Sequence, residues 1–148
     1  PAGTTAGVAT RPGQPLTSVP PNPNSELRSY DAASNLFKKN DFAGAVNAFM
    51  GFIAEFPQST LVPNAYYWIG VSQANLKDSK GAMAAQETVV RRYPDSPKAP
   101  DAMLAIALLQ AEAGDNGSAR DTLDGLINRY PQSEAALKAR TRLNQGRR

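Results

Sequence analysis

Three aromatic–proline pairs, Phe56-Pro57, Tyr93-Pro94 and Tyr130-Pro131, stand 37 residues apart, and each is followed by one variable residue and a serine (Ser59, Ser96, Ser133). Ala45, Ala82 and Ala119 keep the same interval, as do the apolar pairs Phe52-Ile53, Val89-Val90 and Leu126-Ile127. Polar clusters fall in matching places at Asn40-Asp41, Lys77-Asp78-Ser79 and Gly114-Asp115-Asn116. A fixed period of this size marks a repeat architecture. Each unit is then one supersecondary element that buries its apolar face only against its neighbours.

The pattern inside each copy is helix, short turn, helix. In the second copy Ala65, Ile69, Ser72 and Leu76 mark one face, with Tyr66 and Val71 beside it, at helical spacing. Asp78-Ser79 predicts an N-cap, and a second helix runs through Met83, Val89 and Val90 until Pro94 disfavours helical geometry at Tyr93. In the third copy Ser96 ahead of Pro97 predicts an N-cap followed by proline at the first helical position. Ser133 predicts the cap of a last helix over about 134–145, with Ala135, Leu137 and Leu143 partly buried. Small residues align on the first helices (Ala33, Gly70, Ala107) and on the second (Ala45, Ala82, Ala119), where helices must approach closely. The aromatics before proline are expected to pack on the first helix of the following unit. The reading is an all-α fold: an α-solenoid of three helical hairpins, over about 26–60, 63–97 and 100–134, plus a C-terminal capping helix with a polar outer face.

Residues 1–25 read differently. They hold six of the twelve prolines and three glycines, the composition of a flexible linker that buries too little apolar surface to order itself. The chain opens at Pro1 with neither a methionine nor a charged-then-apolar leader, so a mature piece or an excised domain is expected. No apolar run approaches the ~20 residues of a membrane span.

Two zeros in the composition bound the chemistry. With no Cys and no His, the chain has no Cys/His zinc site, thiol nucleophile, disulfide or His-based triad. Asp115, Asp121 and Asp124 are expected as an N-cap and a solvated helix face rather than an acid/base pair. No glycine-rich phosphate loop follows a strand. The expectation is a non-catalytic chain with no cofactor and no metal. The net charge of +3 is uneven: residues 26–134 carry 10 bases against 13 acids, whereas the last fourteen residues hold five bases and no acid. Bases gathered at one end suit a helix C-terminus better than a nucleic-acid face, so no nucleic acid is expected as partner.

The aligned positions resemble the tetratricopeptide pattern: Tyr66, Ile69, Gly70, Ala82, Val89 and Pro94 in the second copy, and Ala32-Ala33, Ala45, Phe49, Pro57 and Ile106-Ala107, Ala119, Leu123, Pro131 in the others. Gln73, Gln110 and Gln86 depart from it, and the period is 37 rather than about 34. With that longer period, the strings NAYYWIG, RRYPDSPKAPDAMLAIA and INRYPQSEAALKARTRL are similar to the C-terminal domain of the YbgF/CpoB family of Tol-Pal-associated cell division coordinators. The resemblance covers about residues 25–145 and implies a periplasmic, non-catalytic adaptor. It further implies binding to TolA, a link between the peptidoglycan synthesis machinery (a penicillin-binding synthase) and outer-membrane constriction, and an upstream signal peptide and trimerising coiled coil. A fragment without that coiled coil is expected to be a monomer. Two alternatives belong beside it: a tetratricopeptide lipoprotein-type adaptor of outer-membrane assembly, and a binder of anionic polymers through Lys138, Arg140 and Arg142.

A stack of hairpins presents its first helices on the hollow side, where partners dock. Projecting the repeat offsets gives a candidate groove of Tyr30, Ser34, Phe37 and Lys38 from the first copy; Asn64, Tyr67, Val71 and Asn75 from the second; and Asp101, Leu104, Leu108 and Glu112 from the third. Large apolar groups among a few polar ones suit a helical or extended peptide. Some tetratricopeptide domains clamp a C-terminal carboxylate with Lys and Asn. The matching slots here carry Tyr30, Ser34, Tyr67, Leu104 and Leu108, which disfavours that mode. Trp68 is expected either to anchor a partner or to cover the helix edge.

Overall fold

Each hairpin turns through one left-handed residue. Asn40, Lys77 and Gly114, 37 residues apart, have φ of +65°, +65° and +85°, and each ends the first helix of its unit. The next residue then starts the second helix. Asp41, Asp78 and Asp115 accept from the backbone N–H groups of Gly44, Gly81 and Ser118 at 2.9, 2.9 and 3.1 Å, the geometry of a side-chain N-cap.

The computed structural model describes residues 23–146, and within them seven helices and no strand. They are α1 (Pro23–Lys38), α2 (Phe42–Glu55), α3 (Val62–Asn75), α4 (Ser79–Arg92), α5 (Ala99–Glu112), α6 (Asn116–Arg129) and α7 (Glu134–Gln145). The expected linker lies outside the described residues except for 23–25, which belong to α1. Proline suits its first position because the N–H it lacks has no helical partner there. Ser59, in the turn between α2 and α3, donates its hydroxyl to the Glu26 carboxylate and so ties the start of α1 to that turn.

Ser96 does not cap α5, contrary to expectation. Its Oγ accepts from the N–H of Lys98 at 3.1 Å inside the preceding turn, as Ser59 does from Leu61 at 3.0 Å, and α5 begins only at Ala99. Pro100 explains the delay. A helix capped by Ser96 would need an N–H on residue 100, so the start moves until Pro100 falls within the first turn, as Pro63 does in α3. Position 137 is a leucine, and there Ser133 caps α7, accepting from Ala136 at 3.0 Å.

Consecutive helices pack in order along the chain, and α3 also meets α5 while α5 meets α7; no comparable contact joins α2 to α4 or α4 to α6. The first helices α3 and α5, with α7, therefore form the inner layer of the curve, and the second helices lie outside them. Phe49, Phe52, Val62, Val89 and Leu126 are fully buried between the layers, with Ala33, Ala45 and Ala82 where backbones come closest. Tyr66, Val90 and Tyr130 bridge the clusters of successive units.

The aromatics before proline follow the expectation in part, and Phe56 shares one buried cluster with Val62 and Ala65 of α3. Tyr93 lies beside Tyr66 of its own unit, ring centres 6.2 Å apart. Tyr130 packs on the cluster that includes Ala135 and Ala139 of α7, yet its hydroxyl reaches back to the carbonyl of Pro94 at 2.6 Å. Leu76 lies past the end of α3 and is exposed. Leu137 is 61% exposed rather than partly buried. The buried stripe of α7 runs Ala135, Ala136, Ala139 with Leu143 beside it, and Leu137 falls off that face.

Candidate partner-binding groove

Because α3, α5 and α7 repeat at 37 residues, equivalent side chains stand in rows across the inner layer. Asn64, Asp101 and Lys138 form one row, Tyr67 and Leu104 the next, Val71 and Leu108 a third, and Asn75 and Glu112 a fourth. Between α3 and α5 these rows enclose a cleft of about 290 Å³. Tyr67, Val71 and Asn75 line one wall, Asp101, Leu104, Leu108 and Glu112 the other, and Lys138 reaches in from α7. Apolar groups occupy the middle of the cleft and polar ones its ends, an arrangement suited to an amphipathic peptide.

The other five expected groove residues do not line this cleft. Tyr30 meets Phe49 and Phe52 edge-on, each at 5.5 Å between ring centres, and burial pushes its phenol up against the opposing hydrogen bonds from Asn64, Trp68 and Ser34. Phe37 packs on Phe42 at 5.5 Å and on Trp68 at 4.9 Å. Ser34 and Asn64 are half-buried, and Lys38 is exposed. The first unit thus spends its aromatic groups on the core. Phe49 and Phe52 stand behind Tyr30 where Gln86 and Val89 stand behind Tyr67.

Trp68 continues the aromatic row from Phe37 to Tyr67, which meets it edge-on at 5.0 Å. The ammonium of Lys98 sits over both rings, 4.8 Å from Tyr67 and 5.2 Å from Trp68, and pairs with Asp101 at 3.7 Å. Burial, reinforced by the nearby Asp101 charge, raises the Tyr67 phenol above its ordinary value. Neither Lys98 nor Lys138 stands among the expected groove residues; for Lys138 the signal was present, since it lies one period after Asp101. Arg140, by contrast, donates to the Pro131 carbonyl at 3.3 Å.

The floor of the cleft is Gly70 and Gln86. Gln86 is 1% exposed; its Nε2 donates to the Tyr67 carbonyl at 3.1 Å, and its Oε1 has no hydrogen-bond partner. A second cleft, of about 390 Å³, lies on the opposite side between α2 and α4, floored by Tyr66 and Ile69. Among the described residues no group of acidic side chains is placed to hold a metal ion, and Asp121 and Asp124 are exposed on α6. No described helix is long and apolar enough to cross a membrane.

Two family models, both described as tetratricopeptide repeats, match the chain, one over residues 30–97 and the other over 101–133. The chain belongs to the tetratricopeptide-repeat family. Its backbone is similar to two solved tetratricopeptide structures. One is the TPR2B domain of yeast Sti1 in its pHsp70 complex (TM-score 0.67, 19% identity, 80% of this chain and 92% of that one). The other is the TPR2AB domain of yeast Sti1 in its pHSP90 complex (TM-score 0.66, 22% identity, 81% of this chain and 44% of that one). In sequence it is 43% identical over 54 residues to the cell division coordinator CpoB of Pseudomonas putida. That match takes in 36% of this chain and only 20% of the relative's length. Tetratricopeptide repeats are protein-interaction modules, and in this one the cleft between α3 and α5 lies on the inner layer formed by the first helices.

Proposed function

We propose that this tetratricopeptide domain is a non-catalytic periplasmic adaptor of cell division that binds TolA through the cleft between α3 and α5. Through that contact it helps link the peptidoglycan synthesis machinery to outer-membrane constriction. The observation that carries the binding mode is the cleft itself: Val71, Leu104 and Leu108 line an apolar trough with Asn75, Asp101, Glu112 and Lys138 at its polar ends. The 43% identity to the cell division coordinator CpoB over 54 residues supports the biological setting. In the whole protein, assembly into a trimer through an upstream coiled coil belongs to the same proposal.

The test is a titration of the periplasmic part of TolA against the wild type, Tyr67→Ala and Leu108→Asp. A carboxylate in the middle of the trough weakens binding about tenfold or more, because a charge is then buried without a partner. Unchanged affinity in both variants removes the contact from this cleft.

A further inference from the structure

We propose that the floor of this cleft selects one uncharged hydrogen-bond-donating side chain (Ser, Thr, Asn or Gln) in an otherwise apolar stretch of the partner, and that Gln86 is the residue that reads it. The proposal rests on the cleft being the partner site, and names what that site recognises.

The argument begins with the slot that Gln86 fills. One period before it stands Phe49 and one period after it Leu123, both buried in the core. A carboxamide in an apolar slot weakens the fold unless its polar atoms are satisfied. Only half of this one is: the Tyr67 carbonyl accepts a hydrogen bond from Nε2, while Oε1 is buried and unpaired. The lone acceptor is covered, but it belongs to a side chain that lines the cleft, so a donor from an occupant completes it once the amide oxygen turns towards the trough.

Gly70 is the second half of the device. The other units carry Ala33 and Ala107 at this place. A Cβ built on Gly70 would stand 2.4 Å from Gln86 Nε2, so glycine is what leaves room for the amide. The walls then set the charge of the donor. Leu104, Leu108 and Val71 offer a cation no counter-charge, Asp101 is already paired with Lys98, and Glu112 is exposed at the end of α5. A neutral hydroxyl or carboxamide is the donor that such an environment accepts.

The experiment is selection of random displayed peptides on the 148-residue protein, repeated on Gln86→Leu and Leu108→Asp. Peptides whose capture is lost with Leu108→Asp should share a Ser, Thr, Asn or Gln flanked by apolar residues. A synthetic copy should lose about tenfold in affinity when that residue becomes Val or Leu, and a similar factor against Gln86→Leu. Selection on Gln86→Leu should yield Leu or Met there instead. In the wild type, the side-chain amide resonances of Gln86 should shift on adding the peptide, a readout that stands even if a variant fails to fold. Equal affinity for wild type and Gln86→Leu, or unmoved Gln86 resonances, overturns the floor proposal and leaves the cleft as partner site. No selected peptide, or capture indifferent to Leu108→Asp, overturns the cleft and this proposal together.

Discussion

The hydroxyl of Tyr130 donates to the carbonyl of Pro94 at 2.6 Å, joining the aromatic–proline pair at the end of one hairpin to that at the end of the one before. The bond spans a whole repeat and lies where α6 leaves the stack, so it holds the two units at a set angle. Tyr130→Phe removes it with no other change of shape. The expected cost is about 0.5–1.5 kcal/mol, read as a lower midpoint in urea at unchanged slope.

Lys77 has the left-handed conformation that Gly114 adopts one period later, φ +65° against +85°. A side chain strains that backbone and glycine does not. Lys77→Gly should therefore stabilise the domain by about 0.5–1 kcal/mol, whereas Gly114→Ala should cost a similar amount, although open space surrounds Gly114. Chemical denaturation of both variants checks the sign of each.

Two helical glycines should respond in opposite directions. A methyl on Gly51 meets nothing within 4 Å, so Gly51→Ala adds about 0.5–1 kcal/mol through helix propensity alone. Gly70→Ala pushes on the Gln86 amide and breaks its bond to Tyr67, at a cost of about 1–3 kcal/mol. Thermal melts of the pair separate packing from propensity.

Alkaline pH probes the cleft wall. Burial first, and the Asp101 charge second, hold the Tyr67 phenol above 10.0. The unfolded chain therefore loses this proton earlier. The contribution is intact below about pH 10 and is lost as pH rises towards the folded value. Melting temperatures followed upward from pH 8 should decline less steeply in Tyr67→Phe than in the wild type. Tyr30, raised by burial as well, contributes to the decline that remains in the variant.

Much of the fold is readable from residues near one another in the chain. Asp78 before Ser79 caps α4, Pro94 follows its end, and the 37-residue register pairs small residues with small ones. The late start of α5 has a local cause too: Ser96-Pro97 predicts a helix start, whereas Pro100 three residues on sets the true one. The cleft was harder to read. Seven of its lining residues follow from repeat offsets, but the same offsets gave Tyr30 and Phe37, which pack on Phe49, Phe52 and Trp68 instead. Gln86 appeared only as a departure from the repeat pattern, with no hint that its oxygen would lack a partner.

The sequence alone was enough for the period, the helices and the caps at Asp78, Asp115 and Ser133, because each depends on torsions and hydrogen bonds within a few residues. Only the tertiary structure decided which equivalent side chains face the core and which face the cleft. Equivalent places in the three units have different neighbours across the helix interface, and whether an aromatic ring or an amide stands behind a position depends on contacts between residues about 20 apart, such as Tyr67 with Gln86.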